Sequence, residues 1–247
     1  MRIASHAPSR SAGLRAWVVC LGCGLALFTV MGLGVNAFTV YQPYLLRVHG
    51  FTNAQGSWIT TVRSLFALLS MLTVDRLCRR LGLRNTMVLG MACFVGSYLL
   101  FGFARGFSAY CGGAVLSGLA YGYGGMIPLT LVISRWFPTG RGFALGMAAA
   151  GSGISTIFAP PLITGAIQAL GLSAAFLWEA AAGVLLTLLV LLLVWDSPDC
   201  PELQRAGDSA PGGRGEGLSR PLLGMVLLSA FLTGGPCGPG FSHLTVL

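Results

Sequence analysis

Six uninterrupted apolar runs, each long enough to cross a lipid bilayer, limit what this chain can fold into more than any other feature. A helix needs about 20 apolar residues to traverse the hydrocarbon core. The runs extend from Ala16 to Val40, Ser57 to Val74, Thr86 to Ala104, Phe107 to Ile133, Phe143 to Leu170 and Ala174 to Trp195. A seventh begins at Leu222 and continues to Leu247. Charged residues make up 9% of the chain, against roughly 25% in a soluble domain, too few to coat a water-facing surface. The expected fold is an all-α membrane protein: a six-helix transmembrane bundle with the start of a seventh span. The lipid bilayer is the first partner this implies.

The expected organisation is an N-terminal tail over 1–15, a six-span bundle over 16–195, a polar linker over 196–220 and the start of span seven over 221–247. The linker is rich in Pro, Gly and charged residues and has no apolar periodicity. The first run exceeds the 7–15 residues of a signal-peptide core, so it reads as a membrane span. All 15 basic residues are Arg. With the N-terminus in the cytoplasm, 12 of them fall inside and only Arg47 and Arg105 outside, which predicts that orientation in the plasma membrane. The basic residues flank apolar runs and form no soluble basic face, which excludes a nucleic-acid partner. Cys20 and Cys23 lie in an apolar run with no partner ligands, and read as packing residues. No phosphate loop, nucleophile elbow or His pair is present, so neither enzyme chemistry nor a cofactor is expected.

Arg63 is the one Arg inside a predicted span, about six residues from its start. A cation there costs about 2.5–3.5 kcal/mol, which some interaction must offset. Thr60, Ala67 and Ser70 share its helix face. Two readings stand. The guanidinium grips an anion in a cavity, or it snorkels outward or pairs with Glu179. Thr29, Gly32, Asn36 and Thr39 share a face in span one; Asn36 either touches substrate or bonds a neighbouring helix. Tyr121 in span four either lines a pocket or packs. The predicted substrate-binding set is therefore Arg63, Thr60, Asn36 and Tyr121. Glu179, placed near the outer end of span six, reads as a weak candidate for proton coupling.

After span two the chain reads Asp75-Arg76-Leu77-Cys78-Arg79-Arg80-Leu81-Gly82. Either these charges set topology only, or they make contacts that hold one conformation and break in another. This stretch resembles the loop motif of the major facilitator superfamily; Asp75, Arg76, Arg79 and Arg80 match it, while Met71 and Cys78 stand where the pattern has Gly. The stretch from Gly118 to Gly165, with Arg135-Trp136-Phe137 and Arg141-Gly142, is similar to the oxalate:formate antiporter and monocarboxylate transporter branch. The resemblance implies two related three-helix units, half of a twelve-span fold, and a missing C-terminal six-span partner. It implies gating by Asp75, Arg76, Arg79, Arg80 and Arg141, and secondary active transport of small organic anions by alternating access. Gly234 to Gly240 interrupts span seven, as in helices that line a binding site. Because the sequence stops within that span, an incomplete chain is expected. The alternatives are export of drugs or apolar compounds, and a non-transporting scaffold or receptor subunit.

Overall fold

The structure, a computed structural model, describes residues 10–137 and 140–194, with side chains from Arg15 onward. The predicted linker and seventh span lie outside the described residues. Six helical spans are long and apolar enough to cross a membrane: Arg15–His49, Asn53–Leu81, Leu83–Phe103, Phe107–Trp136, Arg141–Leu170 and Leu172–Leu193. The fold is the expected six-helix bundle, and among the described residues there is no strand.

Two spans are interrupted. Span one consists of α1 (Arg10–Leu27), a π-helical stretch (Phe28–Asn36) and α2 (Phe38–His49). Its wider bonding is seen where the Ala37 N–H donates to Gly32 O at 3.1 Å. Spans two and three are α3 (Asn53–Leu81) and α4 (Leu83–Phe103). Span four divides into α5 (Phe107–Gly124) and α6 (Met126–Trp136). Pro128 has no N–H for the Gly124 carbonyl, and the chain steps out of helix at the intervening Gly125. Spans five and six are α7 (Arg141–Leu170) and α8 (Leu172–Leu193).

Most spans are longer than their apolar runs. Span two carries seven residues beyond the predicted end at Val74. Asp75, Arg76, Arg79 and Arg80 are therefore the last turns of a helix and not a loop. The physical reason is local: Asp75 and Arg79 stand four apart and pair at 3.0 Å. No helix breaker intervenes before Gly82. At its start, Thr52 and Gln55 form a reciprocal capping box.

The bundle is built of two equivalent three-helix units. Spans one to three and four to six exchange roles one for four, two for five and three for six. Span two packs on span four as span five packs on span one, span three on span four as span six on span one, and spans three and six on each other. The joints agree. Gly82 links spans two and three at φ 85°, ψ 161°, and Gly171 links five and six at φ 87°, ψ 167°. Only glycine adopts that region readily. Three helices per unit put these two joints on opposite sides of the membrane, so the units are inverted relative to each other.

The same equivalence governs the closest approaches. In one unit pair, the Ser70 side chain lies where a Cβ on Gly122 would stand. In the other, the Ser155 side chain occupies the corresponding space beside Gly32. Ser70 is fully buried and donates to the Gly118 carbonyl at 3.1 Å. Small residues here let the helix axes approach, which is the main source of attraction between helices that gain nothing from leaving lipid.

Exposure separates two sides of the bundle. Beyond its first turn, the fully exposed side chains of span six are apolar, among them Trp178, Leu185, Leu188 and Leu192. Span three behaves likewise, with Leu99, Leu100 and Phe103 outward. Spans one, two and five expose Asn36, Thr39, Thr61, Ser64 and Thr156 beside apolar residues such as Leu65, Leu68 and Ile157, and each of these polar side chains is hydrogen-bonded within the bundle.

Placing a methyl group on Gly122 forces it against Ser70 and the Met71 backbone, whereas Gly112 has open space around its Cβ position. The expected outcome is that Gly122→Ala destabilises the bundle by about 1–3 kcal/mol through overpacking. Gly112→Ala leaves it unchanged or slightly firmer. The heat-inactivation midpoint of detergent-purified protein, followed by size-exclusion chromatography, checks both; equal midpoints would remove Gly122 from the packing argument.

Candidate functional site

Arg63 lies ten residues beyond the first residue of α3, roughly 15 Å along its axis at 1.5 Å per residue. The count is larger than the six residues expected, because the helix begins at Asn53 rather than Ser57. The side chain does not run outward. Its guanidinium carbon sits 5.0 Å from the centre of the Phe38 ring in α2, a cation–π contact. It also interacts electrostatically with Tyr98 of α4 and Tyr121 of α5. Arg63 as a whole is half-buried. Its Nη1 is fully buried and has no hydrogen-bond partner. No ion pair joins Arg63 to Glu179, so one of the expected offsets is absent.

The four predicted substrate-binding residues separate into two sets. Tyr121 lies within electrostatic range of Arg63 and is half-buried. Thr60 lies one turn away, but its hydroxyl donates back to Ser57 O at 2.8 Å, which leaves only lone pairs for a ligand. Asn36 stands apart: its amide donates to Thr156 Oγ1 in α7 at 2.8 Å, the neighbouring-helix contact of the second reading.

Two predicted faces are corrected. Thr29 and Gly32 are buried while Asn36 and Thr39 are exposed, so they do not share one face. The π-helical stretch between them widens the turn and shifts the phase on which the 3.6-residue spacing relied. In span two, Ser70 turns away from Arg63 into the contact with span four, so the polar stripe ends at Ala67.

Two residues that the sequence reading left out complete the surroundings. Tyr98 is fully buried, and its hydroxyl donates to Leu33 O at 2.8 Å. That carbonyl belongs to the π-helical stretch, where the bonding pattern changes over to α. Tyr98 therefore braces the interrupted helix while facing Arg63. Tyr41 of α2 stacks on Phe176 of α8 with ring centres 4.2 Å apart. Glu179, in the outer half of span six, sits against this aromatic group and is fully buried. The signal was present in sequence: Leu172, Ala175, Phe176, Glu179, Ala180 and Gly183 form one buried stripe of small and apolar residues at helical spacing, with Glu179 inside it.

The second predicted set lies at helix ends. Asp75 and Arg79 are strongly exposed on α3. Arg141 is the first residue of α7, and its Nε donates to Phe137 O at 3.2 Å. The arrangement presents a half-buried cation with one unmet donor, set among aromatic rings, on the side of the bundle that also carries exposed polar groups. Such a feature can hold an anion attached to an apolar body.

A family model described as Major Facilitator Superfamily matches residues 22–247. The MFS-type transporter hasB of Aspergillus fumigatus is 27% identical over 80% of this chain and 44% of its own length. The MFS-type transporter pynF of Aspergillus niger is 26% identical over 61% of this chain and 35% of its own. The aspyridones efflux protein apdF of Emericella nidulans is 28% identical over 62% of this chain and 31% of its own. The chain thus spans well under half the length of these curated relatives.

The exposed Asp75–Arg79 pair allows gating and structural roles to be told apart. An exposed i,i+4 pair stabilises by about 0.3–0.5 kcal/mol. Asp75→Asn is therefore expected to shift the heat-inactivation midpoint by only about 1 °C. A shift of several degrees would show that the pair is part of the packed structure.

Proposed function

The chain belongs to the Major Facilitator Superfamily, and on that premise we propose that the protein is a secondary active carrier, moving an organic solute with an anionic group across a membrane by alternating access. The observation that carries this reading is the buried, partnerless Nη1 of Arg63. A guanidinium in an apolar setting is stabilised when a carboxylate accepts two of its hydrogen bonds. Phe38 and Tyr121 supply rings for the apolar part of the solute. Arg63, Tyr121 and the Thr60 hydroxyl oxygen form the binding set. Asn36 contributes by fixing span one to span five.

The polar-bearing side of the bundle is the side that meets a second six-helix bundle, and the solute lies between the two. Rocking of one against the other exposes it alternately to each side. Asp75, Arg76, Arg79, Arg80 and Arg141 act at the helix ends, where charge contacts can form in one state and break in the other. The Arg distribution in the sequence supports a cytoplasmic N-terminus, and the plasma membrane is the proposed location.

A second reading is outward transport of apolar compounds. It is supported by the efflux protein among the fungal relatives and by the aromatic surroundings of Arg63. Small monocarboxylates and oxalate are the first solutes to try under the leading reading, and larger amphipathic acids are those on which the two readings converge.

The test is transport of a labelled carboxylate by protein expressed from its complete coding sequence. Arg63→Ala is expected to weaken apparent affinity about 10-fold or more, since a hydrogen bond to a charged group is worth about 1.5–3 kcal/mol. Arg63→Lys should recover part of this, because it keeps the charge but not the paired geometry. Unchanged affinity in both variants would remove Arg63 from the site. A protein blind to carboxylates that still exports neutral dyes would favour the second reading.

A further inference from the structure

Glu179 is the acid that neither the substrate site nor the helix-end charges use. It lies in the middle of a buried stripe with 0% exposure; neither carboxyl oxygen makes a hydrogen bond of good geometry, and the Tyr41 hydroxyl stands close enough to offer one. Span one presents Tyr41, whose hydroxyl lies beside the carboxyl but donates to Ala175 O at 3.4 Å. Span three presents Tyr98, whose hydroxyl is committed to Leu33 O. Span five carries no titratable side chain except Arg141 at its first residue. Arg63 of span two is reached only through Tyr98, which interacts with both Arg63 and Glu179.

No cation and no N–H donor meets this carboxyl. An ionised carboxylate in such a place has neither water nor a counter-charge, and protein interiors do not hold one. A neutral carboxylic acid has no such difficulty. The residue is also not held shut by its neighbours: the surrounding contacts are ring stacks and one long hydroxyl contact, which can separate without breaking an ion pair. Its position is on the seam of spans one, three and six, where the two three-helix units meet.

We propose that Glu179 is a proton-binding site of the carrier: it holds a proton while the seam is packed as it is here, and releases it when movement between the units admits water to the carboxyl. The ligand is a proton alone, with the Glu179 O–H bond breaking and the proton passing to water. Coupling then runs through Tyr98. This residue touches the π-helical stretch of span one and neighbours both charged groups, so a movement of that stretch acts on Arg63 and Glu179 together. The role in transport rests on the carrier reading above; the proton site itself does not.

Two measurements separate these. The first is infrared spectroscopy of the full-length protein in liposomes across a pH series. A carboxylic-acid C=O band present at neutral pH in the wild type and missing in Glu179→Gln is expected. The absence of any such difference would overturn the site, whether or not the protein transports anything. The second is carboxylate transport under an imposed pH gradient. Glu179→Gln, which mimics the protonated acid, should still exchange labelled for unlabelled solute, but should lose the response to the gradient. A response equal to wild type would overturn the coupling role. Should the Gln variant fail to fold, Tyr98→Phe provides the second arm. It removes the hydroxyl between the two charged groups and is expected to alter the pH profile of transport; an unaltered profile counts against the proposed relay. If the wild type transports no carboxylate but shows the infrared band, the carrier reading fails and the proton site stands.

Discussion

Hydrocarbon offers no hydrogen bonds, so every N–H, carbonyl and charge within these spans must find its partner in the protein or face water. The regular helices meet that demand by themselves. The interruption in span one does not, and side-chain hydroxyls supply bonds there and at the packed faces. The carbonyl of Leu33, at the changeover out of the π-helical stretch, receives the Tyr98 hydroxyl. The serines on the inner faces of spans two and three donate to carbonyls of span four, at Gly118 and Gly113. Those bonds are possible only because glycine keeps the helices close. The same glycines that satisfy polar groups therefore also fix the packing of the two three-helix units.

Against that background, Arg63, Arg84, Ser155 and Glu179 each keep a buried polar atom without a well-formed hydrogen bond. Arg63 has a buried donor with no acceptor, and the buried carboxyl of Glu179 has only the Tyr41 hydroxyl beside it. Arg63 and Glu179 bear on the proposed site. They are of opposite sign and share Tyr98 as a neighbour, yet they do not pair. A direct ion pair would have satisfied both at once. Breaking such a pair later leaves two buried charges, at a cost of about 3–5 kcal/mol. On the proposed reading, keeping them apart leaves Arg63 available to a ligand and Glu179 to a proton, so that solute and proton can be taken up and released in turn.

Hydropathy revealed the number and order of the spans, because lipid selects for long apolar runs. It did not reveal where helices end. Asp75 to Leu81 are too polar to count as membrane-spanning, yet they continue α3, since helix formation depends on local pairing and on the absence of a breaker before Gly82. Spacing located Arg63 on a helix face, but missed the four residues by which the helix begins before Ser57. The Thr29–Gly32–Asn36–Thr39 face failed for a different reason: a π-helical stretch changes the turn, and nothing in its composition marks it apart from Gly32 and Gly34. The burial of Glu179 follows from the small-residue stripe on its own helix, which its position along span six does not reveal.

The interrupted first span ties these points together. A π-helical stretch bonded to span three through Tyr98 and to span five through Asn36 and Thr156 is held from two sides at adjacent turns. Phe38, immediately beyond it, carries the guanidinium of Arg63. Tyr41, one turn further, stacks against the helix that bears Glu179. A change in the winding of this short segment therefore rotates Phe38 and Tyr41 relative to α1. Within a few residues, span one thus meets the cation, the helix of the buried acid and the fifth span.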